Sequence, residues 1–216
     1  MIRIVIADDH TILRDGLKQL LAAETDLQVV GEARDGFEAL KLVRERDFDV
    51  LLLDLSMPGR SGMELIKLVR GEKPKLRILV LSMHAERQYA VRAVKAGASG
   101  YLTKDSASLQ LVAAIRKVAG GGAYISADVA EELARSSMPY AEGLPHAALS
   151  DREYQVFQLL VAGKSVSEIG ADLNLSVKTV STHKAHVFEK MGLANQAELI
   201  HYAIRHRLAD DSAASE

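Results

Sequence analysis

Cysteine and tryptophan are both missing from the 216-residue chain, and proline occurs only four times. Without cysteine there are no disulfides, no thiolate metal ligands and no cysteine nucleophile, a composition suited to a reducing cytoplasm. Long apolar runs are missing as well. The most buried-looking stretches, residues 50–53 and 78–81, are four residues each, where a membrane-spanning helix needs roughly 20. Asp8 and Asp9 follow residues 2–7 directly, so the start of the chain lacks the longer apolar core and small-residue cleavage site of a secretory signal. No charge sign dominates: 27 Lys+Arg face 29 Asp+Glu, for a net charge of -2. Such an average argues against nucleic acid as a partner only if it holds region by region.

What the chain does contain is apolar residues, 48% of the total, enough to build cores for two compact domains. Short apolar runs at residues 4–7, 27–31, 50–53, 78–81 and 100–102 alternate with segments of helical period. Leu13, Leu17, Leu20 and Leu21 fall at i, i+4, i+7 and i+8, and Ala39, Leu40 and Val43 repeat the spacing. So do Leu65, Leu68 and Val69, then Val91 and Val94, and finally Leu111, Ala114, Ile115 and Val118. Five βα units predict a central parallel sheet with helices on both faces, and ligands bound beyond the carboxyl ends of the strands.

The fifth unit ends in Gly120, Gly121 and Gly122, read as a helix stop because no strand precedes them and no Lys-Ser/Thr follows. Residues 126–135 predict a further helix, and residues 136–149, with two prolines, a glycine and no continuing period, read as an interdomain linker. Beyond it, Ser150 with Glu153 and Ser165 with Glu168 match the capping box that opens helices. A third helix is expected after Ser176 and a fourth over residues 196–207, which makes a small all-helical domain. The expected division is residues 1–122, a joining segment 123–148, a helical domain 149–210 and a disordered tail 211–216.

Three carboxylates stand at predicted strand ends: Asp8 and Asp9 after the first strand, Asp54 after the third. Ser82 ends the fourth strand and Lys104 follows the fifth, on the same edge of the sheet. Converging carboxylates with a hydroxyl and an ammonium suit a hard divalent cation and a phosphoryl group. With Met57, Pro58 and Gly59, this set resembles the receiver domain of two-component response regulators over residues 1–122. The resemblance implies a flavodoxin-like fold, with Asp54 the phosphoacceptor for a sensor histidine kinase. It implies Mg2+ held by Asp9, Asp54 and the main-chain carbonyl of Ser56, with Asp8 acting through a water. Lys104 and Ser82 would contact the phosphoryl group, and Tyr101 would be the switch aromatic that moves inward as Ser82 shifts. Tyr101 also reads as a half-buried strand aromatic. His10 and His84 flank the pocket. Since a Mg2+ site prefers oxygen, His10 reads as an exposed loop residue, with a metal ligand or an acid/base group as the alternative. His84 reads as a loop residue or as an influence on water access to the acyl phosphate and so on its lifetime.

In the helical domain, Ile169 and Leu173, a turn at residues 174–176, then Val180, Val187 and Met191 spell helix, turn, helix. On a wheel of ~100° per residue, Val177, Val180, Lys184, Val187, Phe188 and Met191 share one face, opposite Lys178, Ser181, Thr182, Ala185, His186 and Glu189. Segments LSDRE, GKSVSEI, LNLSVKTV and HKAHVFEKMG resemble the LuxR-type output domain, and the whole chain resembles the NarL/FixJ class. The resemblance implies a recognition helix over 177–191 in the DNA major groove. Ser181, Thr182 and Ala185 would reach bases, and Lys178, Thr179, His183, Lys184 and Lys190 would reach phosphates. Gly170 departs from the family's usual alanine. His183 and His186 would add charge if protonated near DNA, or else serve as neutral packing groups.

Residues 149–210 hold seven Lys/Arg and seven Asp/Glu, so one copy of this domain is expected to bind DNA weakly. The implied function is a phosphorylation-activated, dimerising, cytoplasmic transcription regulator that is not an enzyme beyond assisting its own phosphorylation and slow dephosphorylation. A Mg2+-dependent phosphatase would need a second catalytic acid near Asp54, and the sequence offers none. An output domain that binds protein or RNA is the other alternative.

Overall fold

The computed structural model describes residues 1–57, 62–83, 87–136, 144–206 and 208. It divides into two units, the first ending at Leu133 and the second starting at Ala134. Among the described residues no helix is long and apolar enough to cross a membrane.

The first unit alternates β1 (Ile2–Ala7), α1 (Thr11–Ala22), β2 (Leu27–Ala33), α2 (Gly36–Glu45), β3 (Val50–Asp54), α3 (Gly62–Glu72), β4 (Arg77–Ser82), α4 (Arg87–Ala96), β5 (Gly100–Thr103) and α5 (Lys104–Ala119). The strands form one parallel sheet in the order β2-β1-β3-β4-β5. Every residue of β3 is buried and β4 is nearly so, which explains why these central strands read as unbroken apolar runs instead of alternating ones. One sheet face, with Ile4, Ile6, Val50, Leu52, Leu79 and Leu81, packs against Leu17 and Leu21 of α1 and Leu111, Ala114, Ile115 and Val118 of α5. Alternate residues Val5, Leu51, Leu53 and Val80 are equally buried, as a sheet covered on both faces requires.

Local chemistry fixes the helix starts. Asp35 caps α2 by accepting from the amides of Phe37 and Glu38, both at 2.8 Å, and Thr103 caps α5. Gly62 opens α3 against the chain leaving β3, where a Cβ would lie 2.6 Å from the Leu55 Cα; only glycine permits that approach. Gly120 caps α5 and Gly121 takes a left-handed φ of 92°, consistent with a stop. The chain then returns to the sheet edge, where Tyr124 bridges Gly100 in parallel, a contact with no sequence period to announce it. α6 (Ala127–Ser136) follows, most of it within the first unit.

The second unit holds α7 (Asp151–Val161), α8 (Val166–Asp172), α9 (Val177–Met191) and α10 (Gln196–Arg205). Both expected capping boxes are present, at Ser150/Glu153 and Ser165/Glu168. Tyr154, Val156, Phe157, Leu160, Ile169, Val180, Val187, Leu199 and Ala203 are almost wholly buried and make its core. The expected linker differs at its end. Pro145–Ala148 forms a 3-10 helix in which His146 is 3% exposed, its Nδ1 2.8 Å from the Tyr202 hydroxyl of α10. Proline at the first position pre-sets φ for that turn, and the buried imidazole anchors it. Residues 137–143 of the linker and 211–216 of the tail lie outside the described residues. α10 ends at Arg205, two residues before the expected position.

Candidate functional site

In a sheet of order 2-1-3-4-5 the crossover direction reverses between β1 and β3, which opens a crevice beyond their carboxyl ends. Asp8 and Asp9 follow β1 and Asp54 is the last residue of β3, so all three border that crevice. Strand register carries the edge onward: Asp54 pairs with Leu81, and Ser82 with Thr103, the residue before Lys104.

Asp8 and Asp54 are each 1% exposed. The Lys104 ammonium sits between them, 2.7 Å from Asp54 Oδ2 and 2.8 Å from Asp8 Oδ2. Only the Asp54 contact has hydrogen-bond alignment; Asp8 Oδ2 is ion-paired without an aligned donor. The Ser56 amide donates to Asp54 Oδ1 at 3.0 Å. Burial pushes the Asp54 carboxyl above its ordinary range, against the pull of Lys104. Burial also disfavours the Lys104 charge, but Asp54 and Asp8 outweigh it and raise its pKa.

Asp9 stays partly open, and His10 Nδ1 lies 3.0 Å from Asp9 Oδ1 and 3.2 Å from Asp8 Oδ1. One ligand atom from each of Asp8, Asp9, His10 and Asp54 falls within 4.8 Å of the others. Three converging carboxylates balanced by one lysine fit a hard, oxygen-seeking divalent cation better than a soft one. Ser82 is fully buried and Tyr101 is 8% exposed, so the aromatic ring already occupies an inward position. Pro58, Gly59 and His84 lie outside the described residues.

The second candidate surface is α9. Ser176 caps it by accepting from the Thr179 amide, and the preceding turn uses a left-handed Asn174 with φ 52°. The Leu175 amide donates to the Gly170 carbonyl at 2.8 Å. A Cβ on Gly170 would lie 2.9 Å from the Leu175 oxygen, so this helix, turn and helix close more tightly here than an alanine fits without movement.

Lys178, Thr179, Ser181, Thr182 and Ala185 are exposed together. The Ser181 and Thr182 hydroxyls donate back to Val177 and Lys178 carbonyls, leaving their oxygens free to accept from base-edge amino groups. Val177, expected inward, is 53% exposed because it starts the helix beyond the core. His183 turns partly inward with Nδ1 buried and unpartnered, and burial followed by Arg152 lowers its pKa; this favours the neutral packing role. Lys184 is half-buried with Nζ 5.9 Å from the centre of the Phe188 ring. Lys190 is ion-paired to Glu153 at 2.7 Å.

Residues 4–116 match the family described as response regulator receiver domain, and residues 147–203 match bacterial regulatory proteins, luxR family. The chain belongs to the response regulators. Its relatives include Response regulator UvrY of Escherichia coli (strain K12), 38% identical over 97% of each chain. Response regulator GacA of Pseudomonas viridiflava is 38% identical over 99% of this chain and 100% of its own. Among solved structures, RcsB from Salmonella enterica serovar Typhimurium, bound to promoter rprA in the presence of phosphomimetic BeF3-, is similar at a TM-score of 0.63. It is 30% identical over 94% of this chain and 98% of that one. This response regulator therefore carries a receiver domain followed by a LuxR-type DNA-binding domain.

Arg14 was not singled out from the sequence, and His10 and Glu153 take a larger part in these sites than their sequence readings gave them. Arg14, 8% exposed, donates from Nη1 to the Asp8 carbonyl at 2.6 Å and reaches Glu32 Oε2 at 3.4 Å, holding the turn that carries the carboxylates. Its only sequence signal is position, an arginine in the first turns of the helix after the strand-end acids. His10, read as a loop residue, has its ring nitrogen between two carboxylates. Glu153, read as a capping residue, also binds α9.

Proposed function

We propose that this response regulator accepts a phosphoryl group on Asp54 from the phosphohistidine of a sensor kinase, and that the modification favours a dimer which reads paired DNA half-sites in the cytoplasm. The observation that carries the reading is Lys104 held between the two buried carboxylates Asp8 and Asp54, with Asp9 open beside them. Asp9, Asp54 and the Ser56 carbonyl, with Asp8 through a water, would hold Mg2+. When bound, that ion supplies charge neutralisation for the carboxylates and the incoming phosphoryl oxygens.

The protein's own groups do the rest by position and charge. An Asp54 oxygen attacks phosphorus as the bond to the donor's imidazole nitrogen breaks, which leaves an acyl phosphate and a free imidazole. Lys104, already 2.7 Å from Asp54, passes from the carboxylate to the phosphoryl oxygens without leaving the pocket. The Ser82 hydroxyl donates to the same oxygens. Because Tyr101 is already buried, the change of charge becomes a change of packing by holding the ring inward and not by drawing it in from solvent. Arg14 keeps the Asp8 carbonyl and its turn in place. No turnover of an external substrate follows; the chain assists only its own phosphorylation and slow dephosphorylation.

A dimer surface is supported on the first and fifth receiver helices. Ile12 of α1 and Leu109 of α5 are each 90% exposed, so packing on the sheet does not account for them. Two recognition helices would then enter successive major grooves about one helical turn apart. Lys178 and Thr179 would reach phosphates with Ser181, Thr182 and Ala185 at base edges.

Incubation with a small acyl-phosphate donor and Mg2+, followed by mass measurement, sizing and duplex binding, tests the chain of steps. Wild-type protein is expected to gain one phosphoryl mass and dimerise, and Asp54→Asn to do neither. An Asp54→Asn variant that gains the mass as readily removes the assignment. Phosphorylation without any change in DNA affinity leaves the site and removes the switch.

A further inference from the structure

All of the lysine and arginine on α9 is Lys178, Lys184 and Lys190. The neighbouring α7 contributes a carboxylate that reaches one of them. Glu153, with its side chain 5% exposed, accepts at Oε2 from Lys190 Nζ and from the Ser150 amide, both at 2.7 Å. Its Oε1 lies 3.5 Å from His186 Nδ1. Burial works to raise the Glu153 pKa, but the bonds from Lys190 and Ser150 outweigh it and hold the carboxyl at about 2. The carboxylate is therefore ionised throughout the neutral range.

A lysine strengthens DNA binding by neutralising a phosphate and releasing its counterion. Lys190 is 41% exposed and stands on the helix that reads DNA, yet its ammonium is already neutralised from within the domain. We propose that Glu153 restrains the recognition helix electrostatically: it withholds Lys190 from DNA phosphate and thereby keeps the affinity for duplex of any sequence low. The inference rests on the DNA-reading function above. Its consequence is that discrimination falls to residues 178–185 of α9, where Lys178, Thr179, Ser181, Thr182 and Ala185 stand exposed. Weak contact by one copy then makes the paired complex the effective binder, because two linked contacts gain avidity that one lacks. Glu153 acts through Lys190 and is a positioning residue.

The test uses the full chain and a labelled random-sequence DNA duplex, with the dissociation constant measured by anisotropy across a salt series. Glu153→Gln keeps the capping box, since glutamine serves at that position, but loses the ion pair. It is expected to bind more tightly and to steepen the slope of log K against log salt by about 0.9 per bound copy. That slope adds about a 3.5-fold loss of affinity for each fourfold rise in salt. Lys190→Gln is expected to keep the wild-type slope, and the Glu153→Gln/Lys190→Gln double variant to return to it.

Three results overturn the proposal: a Glu153→Gln slope equal to wild type, a Lys190→Gln slope shallower by about 0.9 per copy, or a double variant that keeps the gain. The last would mean that removal of a negative charge acts at long range, without Lys190. Lys190→Gln alters an exposed side chain, so it remains informative even if Glu153→Gln folds poorly. A wild-type protein that binds no duplex, phosphorylated or not, overturns the DNA-reading function and this proposal together.

Discussion

Replacing Lys104 with methionine should destabilise the receiver domain, and divalent cation should offset much of the loss. Lys104 is 6% exposed at its side chain and lies 2.7 Å and 2.8 Å from two carboxylates that are themselves almost wholly buried. Methionine fills a similar volume but leaves both carboxylates without their cation. Breaking a buried pair from one side costs about 3 to 5 kcal/mol, and the lower figure applies here because Asp54 is free to take up a proton. At about 4 °C per kcal/mol for a domain of this size, the receiver should melt about 12 °C lower in chelator.

Burial already raises the Asp54 pKa, and loss of Lys104 raises it further, so the deficit should be greatest at alkaline pH and shrink on acidification. Mg2+ at a hundredfold excess over its dissociation constant contributes about 2.7 kcal/mol. The cation no longer competes with an ammonium, so its effect should be larger in Lys104→Met than in wild type. Scanning calorimetry of the full chain with and without Mg2+ separates the cases, since the transition that Mg2+ moves in wild type is the receiver's. A Lys104→Met loss below about 1 kcal/mol in chelator, well under the buried-pair range, or a Mg2+ shift no larger than wild type, refutes the bridging role.

Three further outcomes follow from other contacts. Glu153 is held at about 2 against an ordinary 4.5, so its stabilisation is complete above 4.5 and disappears as pH falls through 2. A displacement of that size corresponds to about 3 kcal/mol, reduced to about 1 to 2 kcal/mol because Lys190 is partly screened by solvent. Urea melts should show this acid-side loss in wild type and not in Glu153→Gln, and superimposable acid limbs would contradict it. Gly170→Ala should give no net stabilisation: the ~1 kcal/mol helix advantage of alanine is opposed by a Cβ 2.9 Å from the Leu175 oxygen. A full ~1 kcal/mol gain in urea unfolding would mean the turn relaxes freely. Ile12→Asp or Leu109→Asp should leave acyl-phosphate labelling intact while abolishing the phosphorylation-dependent change in size, and an unchanged dimer by light scattering would move the interface elsewhere.

Sequence periodicity revealed the sheet where burial is two-sided, because β3 has no polar residue before Asp54 and β4 has none between Arg77 and Ser82. The pocket residues were legible for a related reason. Each stands at a strand end, and the topology brings all strand ends to one edge. Capping boxes were legible because both partners lie within four residues. What escaped depends on partners distant in sequence or on main-chain acceptors. Arg14 binds a carbonyl, which carries no residue identity. Burial of His146 requires Tyr202, 56 residues away. Lys190 reads as a free cation on a reading helix until Glu153, 37 residues earlier, is found beside it.

Both candidate sites place a lysine against carboxylate, and the difference in burial gives the two pairs different physics. In the receiver, Lys104 is 6% exposed and its partners at most 1%. Buried charges are screened by the medium far less than exposed ones, so attraction between the charges of that cluster is strong and only weakly dependent on salt. Lys190 is 41% exposed, and screening at its surface weakens both its bond to Glu153 and its pull on DNA. Phosphorylation of Asp54 should therefore vary little with ionic strength while duplex binding falls steeply. A shared salt dependence of the two steps would imply that Lys104 is open to solvent, contrary to the geometry of the pocket.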